Sequence, residues 1–192
     1  MNDFLPAVRS VLKEKLERNA ARGMNKPLRL MIVGIPNVGK STFINQISGR
    51  KGAKAENRPG VTRGKQWVTV DSSLLLLDTP GILWPKFEDP EVGMMLAYTG
   101  AVKENVIDTE ELACHLAQRL WRYYPQVLKD RYKIDMPVDA AGYELLEEAG
   151  RKRGFLLARG EIHTERMAKV LIDEYRSGKL GTFTLETPED IK

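Results

Sequence analysis

Eight consecutive residues carry the clearest chemistry in this sequence. Gly34-Ile35-Pro36-Asn37-Val38-Gly39-Lys40-Ser41 fits the pattern G-x-x-x-x-G-K-[ST] at every fixed position. Glycines let backbone N–H groups turn around phosphate oxygens with no Cβ in the way. Lys40 brings a positive charge to β- and γ-phosphates, and the Ser41 hydroxyl is a hard oxygen ligand of the kind Mg2+ prefers. The segment from Asn37 through Val38, Gly39, Lys40, Ser41 and Thr42 is therefore the candidate phosphate cradle, with a helix N-terminus aimed at the anion. The alternative is a glycine-rich turn that binds nothing. Against it stands the context, an apolar strand pattern before the motif and a helical pattern after it.

Two further motifs extend the site. Asp78-Thr79-Pro80-Gly81 closes an apolar run, Leu74 to Leu77. A carboxylate at a strand end can hold the shell of a magnesium ion, directly or through water, and Gly81 can offer its N–H to a γ-phosphate. A simple strand-ending turn would use the same residue types. Thr62 lies between the motifs, in Arg58-Pro59-Gly60-Val61-Thr62-Arg63-Gly64. A threonine on a mobile loop can complete the magnesium shell and sense the γ-phosphate. The catalytic candidates are thus Lys40, Thr62 and Gly81, and the Mg2+ candidates are Ser41, Thr62 and Asp78.

These residues need elements to hold them. Leu28 to Val33 is a near-continuous apolar run, which predicts a strand buried on both faces. Lys40 to Ser48 reads as the following helix. Gln66–Val70 and Leu74–Leu77 read as paired strands joined by Asp71-Ser72-Ser73. Ahead of them, Phe4 to Ala21 has Leu5, Val8, Val11, Leu12 and Leu16 at helical spacing and ends at Gly23. After Gly81 the pattern turns helical. Asp89-Pro90 starts a helix running to about Val102, and Asp108 with Glu111 forms a capping box for one whose apolar face is Leu112, Leu116 and Leu120. Pro125–Tyr132 reads as a short helix. Asp139 is expected to cap another, with Tyr143, Leu146 and Ala149 on one side. Thr164–Arg176 is the last, ended by Gly178. The sequence thus predicts an α/β part over residues 1–99 followed by an all-helical part over 100–192.

Composition narrows the class further. The 192 residues are 42% hydrophobic and 29% charged, as in ordinary globular proteins. No apolar run approaches the roughly 20 residues that span a bilayer, and the first residues lack the basic-then-apolar order of a secretory signal. One cysteine, Cys114, excludes an intrachain disulfide. A cytoplasmic protein without membrane contact is the expectation. The net charge of +4 is uneven, with +6 over residues 1–99 and −2 over 100–192. The excess concentrates in Arg50, Lys51, Lys54, Arg58, Arg63 and Lys65, a stretch that suits a polyanion or is simply a solvated loop. His115 and His163 are isolated and read as structural. Arg151-Lys152-Arg153 suits either RNA phosphates or a helix C-terminus. Trp67, Trp84 and Trp121 read as core or interface residues.

Taken together, Gly34–Ser41, Pro59-Gly60-Val61-Thr62 and Asp78-Thr79-Pro80-Gly81 resemble the translation-factor-related GTPases. The helix ahead of the first strand and the helical tail resemble the circularly permuted ribosome-assembly members, of the ribosome biogenesis GTPase A type, over nearly the whole chain. The resemblance implies a P-loop GTPase (Ras-like) domain, here partial, over 1–99, and a helical ribosome- and RNA-binding domain over 100–192. It implies binding of GTP and GDP, hydrolysis with Mg2+, and a late step in assembly of the large ribosomal subunit, with its rRNA as partner and the intact protein a monomer. Asn37 resembles the asparagine that binds K+ in potassium-stimulated relatives, although asparagine also suits a tight turn.

The guanine-reading Asn-Lys-x-Asp motif does not occur. Asn25-Lys26-Pro27-Leu28 has Leu where Asp is required, and Tyr132-Lys133-Ile134-Asp135 has Tyr in place of Asn. In a permuted GTPase that motif precedes the phosphate loop, so the chain reads as a truncated form that chooses poorly between GTP and ATP. Ile82 stands where many GTPases carry a water-orienting glutamine, which predicts slow turnover unless the ribosome, a cation or an N-terminal part supplies the group. Two rivals remain: a non-hydrolysing RNA-binding fragment, and a P-loop small-molecule kinase, against which Asp78–Gly81 and Thr62 both count.

Overall fold

The computed structural model describes residues 3–24, 26–49, 64–83, 87–102, 107–182 and 184–186. The chain divides into two compact units, Met1–Leu83 and Trp84–Lys192. The sequence reading placed the boundary after residue 99. The helix Pro90–Tyr98 moves it, because its Ala97 and Tyr98 are buried in the core of the helical unit. The Arg176 guanidinium donates to the carbonyls of those two residues, at 2.9 Å and 3.1 Å, which binds this helix to the second unit.

In the first unit, helices α1 (Phe4–Val11) and α2 (Lys13–Ala21) precede strand β1 (Leu28–Ile32), helix α3 (Lys40–Ser48) and strands β2 (Gln66–Asp71) and β3 (Leu74–Asp78). The sheet order is β1-β3-β2. β1 runs parallel to β3, with Ile32 opposite Asp78, and β2 is antiparallel to β3. Parallel pairing requires a crossover, and the phosphate loop with α3 lies in it. The consequence for function is that both motif-bearing loops leave the same end of two adjacent strands.

One face of this sheet carries the core. Leu28, Val68, Leu74 and Leu76 pack with Ile44 of α3, and Phe4, Leu5, Val8, Leu12 and Leu16 cover them. Phe4 and Phe43 meet edge to face with centroids 5.3 Å apart. The single helix expected over Phe4–Ala21 is bent at Leu12. Its hydrogen bonds continue through the bend, from Leu12 N–H to Val8 O and from Leu16 N–H to Leu12 O, both at 3.0 Å. Val11, expected on the apolar face, points to solvent. The expectation that β1 is buried on both faces also fails. Met31 is 60% exposed, and it shares its face with exposed Trp67, over whose ring the Arg29 guanidinium lies at 5.5 Å. An apolar run reports hydrophobicity alone, whereas burial depends on which elements pack on each face.

The second unit adds α4 (Pro90–Tyr98), α5 (Thr109–Tyr123), α6 (Pro125–Tyr132), α7 (Gly142–Lys152) and α8 (Thr164–Arg176). Leu112, Leu116 and Leu120 of α5 are buried against Leu145, Leu146 and Ala149 of α7 and Met167, Leu171 and Ile172 of α8 within one core. Asp89 caps α4, accepting from Glu91 N–H at 2.8 Å, and Asp108 caps α5 through the N–H groups of Glu110 and Glu111. α4 ends at Tyr98, short of Val102, where Gly100 takes φ +74°. α7 begins after Ala141 rather than Asp139. There the Glu144 carboxylate accepts from Ala141 N–H at 2.9 Å, and Tyr143 is exposed instead of facing the core. His163 plays the structural part expected of it, with Nδ1 accepting from Arg166 N–H at the start of α8. Trp121 is buried, and its Nε1 donates to Pro137 O at 2.7 Å.

Candidate nucleotide-binding site

The loop after β1 adopts a conformation that its sequence makes accessible. Gly39 sits at φ +86° as the residue before α3, and Asn37 at φ +57° is one of the few side chains that tolerate the left-handed region. The first bond of the helix runs from Phe43 N–H to Gly39 O at 2.8 Å. The N–H groups of Lys40, Ser41 and Thr42 therefore point out of the helix end, where its dipole favours an anion.

Lys40 is buried and folds back over the loop. Its Nζ donates to Gly34 O at 3.0 Å and to Ile35 O at 2.7 Å. An ammonium has three protons, so one more remains to direct at a phosphate oxygen. Burial pulls the Lys40 pKa below the ordinary lysine value, and the nearby Asp78 carboxylate acts in the opposite direction.

Asp78 ends β3 with its side chain 0% exposed, and its Oδ2 accepts from the Ser41 hydroxyl at 2.8 Å. Two residues 37 positions apart in sequence thus meet as a hard oxygen pair at the start of α3. That donor set fits Mg2+, which takes one or two protein oxygens and completes its shell with phosphate and water. Among the described residues no group of three or more His, Cys, Asp or Glu side chains is placed to hold a metal. Of the other expected residues, Thr62 lies outside the described residues, as do Trp84 and the basic stretch from Arg50 to Arg63.

The two loops touch. A Cβ added to Gly81 would lie 2.5 Å from Pro36 Cα and 2.8 Å from Ile35 C. Only a residue without a side chain brings the backbone after Asp78 this close to the phosphate loop. One contact was not anticipated from the sequence. Thr79 is buried, and its hydroxyl donates to Ile32 O at 2.7 Å, across from β3 to the end of β1. The hydroxyl-bearing position inside Asp78-Thr79-Pro80-Gly81 was the available signal. Ile82 follows with its side chain 78% exposed. The near-match Tyr132-Lys133-Ile134-Asp135 is committed elsewhere: the Tyr132 hydroxyl donates to Glu174, and Asp135 accepts from Lys129.

A strand, a phosphate loop, a helix, and a neighbouring parallel strand ending in a buried aspartate make this a P-loop nucleotide-binding domain of the GTPase class. Comparison with known proteins identifies the branch. A model of the 50S ribosome-binding GTPase family matches residues 29–177. Ribosome biogenesis GTPase A of Bacillus licheniformis is 46% identical, over 100% of this chain and 68% of that protein. Its counterpart in Priestia megaterium is 44% identical, over 99% of this chain and 66% of that protein. A GDP-bound YlqF structure aligns with a TM-score of 0.55 at 28% identity, covering 95% of this chain and 67% of the other. The chain belongs to the 50S ribosome-binding GTPase family and, within it, to the ribosome biogenesis GTPase A type. It spans about two thirds of the length of the relatives it matches.

Proposed function

We propose that the chain binds GTP through residues 37–42 and Gly81 and hydrolyses it to GDP and phosphate, as an assembly factor acting at a late step on the large ribosomal subunit. The observation that carries this reading is the convergence of Lys40, the Ser41–Asp78 pair and the Gly81 backbone at the ends of β1 and β3. The names of the relatives supply the ribosomal context. In this role the protein works in the cytoplasm, the first unit handles the nucleotide, and the helical unit engages rRNA.

The chemistry is an in-line attack of water on the γ-phosphate, in which the protein positions groups and neutralises charge. Lys40 donates its remaining N–H to a β- or γ-oxygen and keeps the loop folded through its two carbonyl contacts. The N–H groups at the start of α3 take further oxygens. Gly81 offers its N–H to the γ-phosphate, and Thr62 completes the reading of that group. Ser41, with Asp78 behind it, would hold Mg2+, which would supply Lewis-acid charge at the phosphates. Ile82 is aliphatic and cannot orient water by hydrogen bonding, so intrinsic turnover is slow and the ribosome accelerates it.

Phosphate release measured with and without large ribosomal subunits tests the reading. Stimulation by subunits supports it, whereas nucleotide and subunit binding with no turnover under either condition would leave an RNA-binding fragment. Asn37 as a K+ ligand belongs to the same proposal. Replacing KCl by NaCl should slow phosphate release, and an unchanged rate would remove K+ from it.

A further inference from the structure

Thr79 has no assigned part in nucleotide chemistry, yet it is buried and makes a cross-strand bond beyond the end of β3. Its Oγ1 donates to Ile32 O at 2.7 Å. Ile32 is the last residue of β1 and pairs with Asp78. The bond therefore joins the two strand ends from which the phosphate loop and the Asp78–Gly81 loop depart. Its neighbours on both sides are already constrained. Asp78 is fixed by the Ser41 hydroxyl, and Gly81 is seated on the Ile35–Pro36 backbone. Lys40 holds Ile35 O from the other side. Only Pro80, whose ring fixes φ, separates Thr79 from Gly81. A stiff segment this short transmits the position of Thr79 to the amide of Gly81.

We propose that Thr79 is a positioning residue for the γ-phosphate: its hydroxyl clasps β3 to β1 and so sets where the Gly81 N–H meets the terminal phosphate, without touching nucleotide itself. This rests on the reading of the site as a GTP site. The loop residues that cradle α- and β-phosphates lie on the β1 side and are held by Lys40 and α3, independently of this bond. Loss of the hydroxyl should therefore weaken recognition of a triphosphate and spare that of a diphosphate.

Thr79→Val keeps the shape and removes the hydroxyl, and Thr79→Ser keeps the hydroxyl. The test measures, with the full chain and Mg2+, the affinities of GDP and of the non-hydrolysable imido analogue of GTP for both variants, the wild type and Lys40→Ala. Thermal melts run alongside. Thr79→Val should lose about tenfold in triphosphate affinity, the worth of one well-placed hydrogen bond, while its GDP affinity stays within about twofold. Thr79→Ser should restore the ratio. An equal loss of both nucleotides, in step with a lowered Tm, would show a purely structural role and overturn the proposal, as would an unchanged ratio. Lys40→Ala binding as tightly as the wild type would instead sink the nucleotide site and this inference with it. Weak binding by Lys40→Ala with an unchanged ratio in Thr79→Val removes only the inference.

Discussion

Replacing Gly81 by alanine should damage the site through sterics alone. Gly81 does not occupy the left-handed region, so an alanine there meets no backbone strain of its own. The obstacle is the partner surface. The new Cβ would lie 2.5 Å from Pro36 Cα and 2.8 Å from Ile35 C, where ordinary contacts begin near 3.4 Å. Both neighbours are main chain, and Ile35 O is held by Lys40, so no side chain can swing aside. The Asp78–Gly81 loop must retreat by about 1 Å, and a misplacement of that size costs roughly 100-fold in a reaction that depends on positioning. Single-turnover phosphate release in the presence of large ribosomal subunits is the assay, with GDP affinity measured in parallel to show that the phosphate loop is intact. Turnover by Gly81→Ala within about threefold of the wild type, less than 1 kcal/mol in barrier, would refute the argument that these loops must touch.

Other consequences concern the helical unit and its stability. Glu174 is buried in α8 and accepts from Arg131 Nε and the Tyr132 hydroxyl, each at 2.8 Å, with Arg153 at 3.3 Å. The Arg131 hydrogen bond chiefly holds its carboxyl down to about 2, with desolvation opposing. A folded-state value below the unfolded one means stability that is complete above pH 4.5 and is lost as the pH falls toward 2. Because the Arg131 side chain is 39% exposed and partly screened, we expect about 1–3 kcal/mol from this network. Urea denaturation at pH 6 and pH 3 should show that loss in the wild type, and Glu174→Gln should be destabilised at pH 6 and lack this share of the pH dependence. Gly142→Ala would drive a Cβ to within 2.7 Å of Cys114 C, backbone in the middle of α5. It should cost about 1–3 kcal/mol by overpacking, measured as a shift in urea midpoint.

The strand, loop and helix around the phosphate-loop motif were legible because that motif demands particular residue types at contiguous positions. The spacing of Gly39, Lys40 and Ser41 predicts a turn into a helix, and α3 starts there; Asp78 reads as a strand-ending carboxylate, and the structure adds its bond to the Ser41 hydroxyl. The α5 face and the α8 span were equally readable, since three leucines at helical spacing and a terminal glycine leave little choice. What failed depended on neighbours distant in sequence. β1 read as doubly buried, yet its alternate residues face solvent, and the α4 segment belongs with the helical core that its Ala97 and Tyr98 enter. Val11 fits a helical spacing and still points outward, because the packed side of the helix is the one carrying Phe4, Leu5, Val8 and Leu12. The Thr79 bond joins residues 47 apart, and no periodicity announces it.

The proposed function depends on the loop from Gly34 to Ser41 holding nucleotide phosphates with Lys40 at its centre. Titration of labelled GTP and GDP with Mg2+ against the wild type and Lys40→Ala tests it most directly. The wild type should bind both, and removal of the ammonium, a charged hydrogen-bond donor to phosphate, should weaken binding at least about tenfold. Equal binding by the two chains would contradict the account.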